Sequence, residues 1–314
     1  MEGGRVPAGR DGAARGPSRR AVLLAGVASG VGAAAAITTG VLSESSSTPA
    51  SALRRSASSS FPAVLSGPGA TVADRVYSHA RGRHVDLVLV LPTRKPPPGL
   101  PMSVLLHGRN GSARNAAPPG LAHRLGRDIS NGRVPPFGFV AVDGGNSYWH
   151  EHHPGDDPLA MLLDEIPGWL RERGLGDAKG KPFAVTGTSM GGFGAFVYAR
   201  RRNERHDPVD AITAISPALI TSWRQMRKRK AFAGEAEWAS LDPLRHIGAT
   251  RGIPTAVWCG EQDPFIKGVR QFIRRARPEL AHTAPGGHNG KFFRSTVPSL
   301  VHFLGRHAPR LRMD

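Results

Sequence analysis

Ser189 stands at the centre of Gly187-Thr188-Ser189-Met190-Gly191, between the apolar run Phe183-Ala184-Val185-Thr186 and a stretch of helical spacing from Phe193 to Arg202. A serine with glycine two residues before and two after suits a nucleophile on a sharp strand-to-helix turn. The glycines remove side chains that would crowd the hydroxyl, and the following helix aims its free N–H groups and positive dipole end at developing negative charge. In a chain with 39 Gly such a pattern also arises by chance, so the flanking elements carry the weight. The plain alternative is a Gly-rich turn with a surface serine.

A serine nucleophile needs an imidazole base, and the base needs an orienting carboxylate, both from later strand ends. After Thr255-Ala256-Val257-Trp258-Cys259 comes Gly260-Glu261-Gln262-Asp263, which makes Asp263 the candidate acid, with Glu261 its rival and Asp242 a weaker one. Four histidines lie beyond Asp263. His282 falls inside a predicted last strand, Leu280 to Thr283, and is expected to be packed; His302 and His307 fall in or after a terminal helix. His288, between Pro285-Gly286-Gly287 and Asn289-Gly290, is the candidate base. The oxyanion donors are expected to be the backbone N–H of Met190 and that of Arg109, with Asn110 as the alternative, from the loop after Leu105-Leu106. His107 and Asn110 of that loop, with Tyr148 and Trp149, are the expected substrate-contacting residues. His107 is expected to shape the loop rather than move protons.

The elements that must position these groups are readable as alternating strand and helix signals. Val85 to Leu91, Met102 to Leu106, Phe137 to Val142, Phe183 to Thr186, Ala211 to Ile215 and Thr255 to Cys259 are short apolar runs bounded by Gly and Pro, as in strands buried on both faces. Pro158 to Arg173 carries Leu159, Leu162, Leu163, Ile166 and Leu170 on one helical stripe, and Ile266 to Arg275 is a second helix. This alternation predicts one α/β domain with a mostly parallel sheet flanked by helices, its chemistry at the carboxyl ends of the strands. The span 217–250 reads as a small cap insertion, with the basic Arg224-Gln225-Met226-Arg227-Lys228-Arg229-Lys230 at its start.

His107-Gly108, the Gly187–Gly192 elbow, Gly260-Glu261-Gln262-Asp263 and Gly286-Gly287-His288 together resemble an α/β-hydrolase, and within that fold the esterase group that includes esterase D and the mycolyltransferases. The resemblance covers about residues 70–310. It implies ester hydrolysis or acyl transfer through an acyl-serine, with no metal or organic cofactor. In the loop Asp143 to Asp157, three His and two Asp within eight residues fit no defensible metal-ligand spacing. Cys259 is the single cysteine and is expected to be buried and inert.

Composition bounds the remainder. The 314 residues carry 42 Lys+Arg against 24 Asp+Glu, a net charge of +18, but only 7 of the cations are Lys, a bias that does not by itself indicate a nucleic-acid partner. One thiol excludes an intrachain disulfide framework. Residues 1–52 read as an export signal of the twin-arginine kind: Arg19-Arg20, then the uncharged run Ala21 to Leu42, then Ala50-Ser51-Ala52 as a cleavage site. An uncleaved segment serving as the only membrane contact is the alternative. A flexible Ser/Pro linker, 53–69, precedes the catalytic domain, 70–314. The expected function is an exported serine esterase acting on a small-molecule or envelope ester. The alternatives are acyl transfer to a sugar or lipid hydroxyl, and a noncatalytic envelope polyanion-binding protein on a hydrolase scaffold.

Overall fold

The computed structural model describes residues 69–311. The expected export signal, 1–52, and the expected linker up to residue 68 lie outside the described residues, as do residues 312–314. Eight strands form one sheet: β1 (Ala70–Ser78), β2 (Arg83–Leu91), β3 (Met102–Leu106), β4 (Gly138–Val142), β5 (Ala184–Thr188), β6 (Ala211–Ile215), β7 (Thr255–Gly260) and β8 (Leu280–Ala284). Their order across the sheet is β1-β2-β4-β3-β5-β6-β7-β8. The β1–β2 and β2–β4 pairs are antiparallel and every later pair is parallel. The helices are α1 (Leu121–Ser130), α2 (Pro158–Ala160), α3 (Ile166–Glu172), α4 (Met190–Glu204), α5 (Trp223–Met226), α6 (Glu235–Leu241), α7 (Ile266–Ala276) and α8 (Gly290–His307).

Strands β3 to β7 are buried at every residue, the reason each reads as a continuous apolar run. In β2 the side chains alternate between two apolar layers. Leu87, Leu89 and Leu91 join the layer that contains α3 and α4, while Val88 and Val90 join the one built on α1 and α8. The predicted helix over 158–173 is α2 and α3 joined by a π-helical turn, and Asp157 caps its start by accepting from the N–H groups of Leu159 and Ala160. β8 is an edge strand, and its middle residues are exposed. His282 is therefore exposed, not packed as its place in an apolar-looking strand suggested.

The insertion between β6 and β7 is a fixed part of the domain. Met226, Phe232, Trp238 and Leu241 are buried in the same apolar layer as α4. At the end of α6 the buried Asp242 accepts from the Leu244 N–H (3.0 Å), while Arg245 approaches only to 3.7 Å. Burial pushes the Asp242 carboxyl up to about 6. A carboxyl raised in the folded state stabilises the protein below its unfolded value, and that stabilisation is lost as pH rises through about 6. Asp242→Asn is thus expected to raise Tm at pH 8 relative to the parent and to leave it nearly unchanged at pH 4. A difference in Tm that does not vary with pH would contradict this.

Candidate active site

Ser189 links β5 to α4 at φ 58° and ψ −117°, a conformation that an L residue holds only when its surroundings impose it. Here the surroundings are backbone. A side chain at Gly187 would overlap the Gly191 carbonyl, and one at Gly191 would overlap the Leu106 carbonyl at the end of β3. The Ser189 N–H is held by the Ile215 carbonyl (2.9 Å). With the main chain pinned on both sides, the hydroxyl projects from the carboxyl end of the sheet.

His288 Nε2 lies 2.9 Å from Ser189 Oγ, and His288 Nδ1 lies 2.7 Å from Asp263 Oδ2. The three predicted residues, 74 and 25 positions apart along the chain, thus form one hydrogen-bonded line. Opposite an ionised carboxylate, Nδ1 must carry the ring proton, which leaves Nε2 to accept from the serine. The Asp263 side chain is wholly buried. Burial alone would raise its carboxyl, but the hydrogen bonds from His288 and from the Phe265 N–H (2.8 Å) outweigh that and hold it below the ordinary value. Glu261 is exposed and makes no hydrogen bond or ion pair with the ring, so of the two candidate acids it is Asp263 that meets His288. Asp242 is spent on capping the turn after α6.

Several supports of the histidine carry no signal in the sequence. Gln262 clasps its loop twice: the Gln262 N–H donates to the Gly286 carbonyl (2.9 Å), and Gln262 Oε1 accepts from the Gly286 N–H (2.6 Å). Phe265 and Phe293 meet the His288 ring edge to face, with centroids 5.1 and 5.2 Å away. Asn289 then caps α8 by accepting from the Phe292 N–H (3.1 Å). Ser216, at φ 46° just past β6, is a buried neighbour of Asp263.

Beside the serine lies the loop after β3. Gly108 packs so closely on Ser189 that an added Cβ would sit 3.3 Å from the serine Cβ. Among the described residues, neither the Met190 N–H nor the Arg109 N–H donates to any acceptor. The Asn110 N–H is already committed to Asn146 Oδ1 (2.7 Å), and Asn146 Nδ2 returns a bond to Asn110 Oδ1 (3.1 Å). Of the two candidate N–H groups in this loop, that exchange leaves only the one on Arg109 without an acceptor.

His107, Tyr148 and Trp149 support this loop from beneath, which corrects the expectation that they touch substrate. His107 is 1% exposed; its Nε2 accepts from the Gly144 N–H (2.9 Å), so Nδ1 holds the proton and donates to the Gly108 carbonyl (2.8 Å). Burial lowers its pKa and favours that neutral form. Trp149 is fully enclosed against Gly144 and Gly194 and donates its indole N–H to the His107 carbonyl (3.3 Å). Tyr148 is buried against Phe193 and Phe232 and offers no open wall. Both residues have positive φ, 57° and 65°, in a loop bent back under the site. The arginine Arg81 ties that loop down through Asp156 (2.7 Å) and the Asp143 carbonyl.

The histidines of the same loop serve as ties. The His150 ring stacks on Phe232 (4.6 Å) with a nitrogen 2.8 Å from each of the Glu151 and Ala231 carbonyls, joining loop to insertion. Among the described residues no group of three His, Cys, Asp or Glu is placed to hold a metal ion. Cys259 is buried, and burial pushes its thiol up to about 12, as expected of an inert cysteine.

The chain is similar in structure to a ferulic acid esterase (TM-score 0.60, 19% identity, covering 76% of this chain and 99% of that one). It is also similar to the S-formylglutathione hydrolase of Agrobacterium tumefaciens (0.61, 15%, 77% and 96%) and to the substrate-bound fluorophosphonate-binding serine hydrolase F of Staphylococcus aureus (0.58, 17%, 76% and 99%). At such identities the likeness establishes the fold, that of the α/β-hydrolases. No curated protein matches the chain in sequence. Residues 78–271 match the family described as "Putative esterase", a span that runs from the end of β1 through the elbow and the Asp263 turn. An α/β-hydrolase sheet with a serine elbow at its carboxyl edge, matched to that family over most of its length, makes this chain a member of the esterase family and a serine hydrolase of carboxylic esters.

Proposed function

We propose that Ser189, His288 and Asp263 carry out ester hydrolysis through an acyl-serine intermediate. The observation that carries this reading is the continuous line Asp263 Oδ2, His288 Nδ1, His288 Nε2, Ser189 Oγ, at 2.7 and 2.9 Å. Ser189 Oγ attacks the ester carbonyl carbon as its proton passes to His288 Nε2. The carbonyl oxygen becomes an oxyanion that takes hydrogen bonds from the Met190 and Arg109 N–H groups. Each such donor is worth about 3–4 kcal/mol in the transition state. Collapse breaks the bond to the alcohol oxygen, which leaves with the proton from His288. Water then attacks the acyl carbon, gives a proton to the same nitrogen, and the carboxylic acid departs as Ser189 recovers its proton. Asp263 stays ionised throughout and stabilises the imidazolium formed in both halves.

Asp263→Asn is expected to leave the fold intact and to lower kcat by roughly 10⁴-fold, because an amide opposite Nδ1 selects the wrong tautomer. Glu261→Gln is expected to retain full activity. Burst release from a 4-nitrophenyl ester checks both variants; near-normal turnover in Asp263→Asn, or a collapse in Glu261→Gln, would overturn the assignment.

We also propose that the enzyme is exported by way of residues 1–52, on the support of Arg19-Arg20 ahead of an uncharged run. Replacing both arginines by lysine is expected to retain the chain inside the cell; unchanged appearance outside it in fractionation would refute the reading.

A further inference from the structure

Among the described residues seven arginines are buried or half-buried: Arg81, Arg124, Arg173, Arg200, Arg201, Arg202 and Arg229. The first six each hold a carboxylate within 4.0 Å. Arg229 holds none, and its Nε is shut off from solvent with no acceptor. Nor does any other atom of its guanidinium make a hydrogen bond among the described residues. A half-covered cation without an acceptor is costly, since donors removed from water need partners.

Its position relates it to the reacting groups. The Arg229 guanidinium carbon lies 5.8 Å from the centroid of the Phe265 ring, the same ring that meets His288 edge to face. One aromatic side chain therefore separates the free cation from the proposed base. On the serine side, exposed Arg109 follows Gly108 and has no acidic partner. Both guanidiniums reach the Tyr148 hydroxyl electrostatically, opposing the burial that raises its pKa. Arg229 thus packs on the ring that abuts His288, Arg109 follows the glycine that abuts Ser189, and no ion pair among the described residues answers either.

We propose that the ester substrate carries an anionic group, a carboxylate or a group of similar charge, that docks on Arg229 with Arg109 beside it. This rests on the hydrolytic reading of Ser189 and narrows it to anionic esters. A guanidinium presents a planar fork of N–H donors to such a group, and charge-assisted bonds of this kind are about twice as strong as neutral ones. Placing the recognition group on the inserted segment after β6 sets specificity apart from the residues that perform the chemistry.

The test compares kcat/KM for 4-nitrophenyl hexanoate with that for the 4-nitrophenyl monoester of adipic acid, which has a carboxylate at its far end. A second pair, phenyl acetate and 4-acetoxybenzoate, carries the charge on the alcohol side. In one pair the anionic member is expected to be preferred, and that pair identifies the side of the ester that bears the charge. Arg229→Gln is expected to lower the anionic-to-neutral ratio roughly tenfold, and Arg224→Gln, in the exposed part of the same cluster, to leave the ratio in place. An unchanged ratio in Arg229→Gln, or an equal fall in Arg224→Gln, would show a diffuse basic field and overturn the site. Should no ester turn over, the hydrolytic reading fails separately, and binding still decides the present one. Free adipate, but not 1,6-hexanediol, is expected to raise Tm in the parent and not in Arg229→Gln; equal shifts in both proteins would refute the site.

Discussion

The backbone of the Ser189 turn touches the backbone at the end of β3 with only a hydrogen atom on Gly191 between them, and the missing side chain of Gly187 lets the turn close on the Gly191 carbonyl. That close approach holds the serine at a φ of 58°, strain worth roughly 1–3 kcal/mol that the packed sheet sustains. It also fixes the distance from the serine to the loop 107–111, which supplies the Arg109 N–H. The proposed nucleophile and oxyanion donors are thus set by main-chain packing, before any side chain has chosen a rotamer. The histidine is placed by different means, a glycine-rich loop stitched to Gln262 and caged by two phenylalanine rings.

Charge is handled in two ways on one surface. Asp263 is buried, yet it is supplied with enough donors to stay ionised, so the imidazole keeps one tautomer. His107 is buried and supplied with one donor and one acceptor, and it stays neutral as a strut under the loop 107–111. The two histidines therefore have opposite duties, and the difference lies in which polar groups surround each. Arg229 departs from this economy, a half-buried cation left without a carboxylate against the Phe265 ring that meets His288.

Much of this was legible in the sequence, and unevenly so. The buried strands β3 and β6 coincide residue for residue with the apolar runs Met102–Leu106 and Ala211–Ile215, because strands covered on both faces leave an uninterrupted signal. β1 left none: it is an edge strand with mostly exposed side chains, held by its hairpin to β2, and its residues alternate in no simple way. The order Ser189, Asp263, His288 was readable since each follows a strand at the carboxyl edge of the sheet. Gln262 and Ser216 were not, because their contribution depends on a loop and a buried turn brought to them from elsewhere in the chain. Tyr148 and Trp149 misled in an instructive way. Aromatic residues after a strand suggest a substrate wall, but Gly144 and Gly194 open a slot that swallows the indole beneath the loop.

The measurement that bears most directly on the arrangement is peptide mapping by mass spectrometry after treatment with a fluorophosphonate, which phosphonylates a serine only when a base removes its proton. The geometry requires one adduct per chain, on the peptide containing Ser189, and its loss in His288→Ala. Modification at another residue, or labelling of Ser189 that persists without His288, would contradict the account.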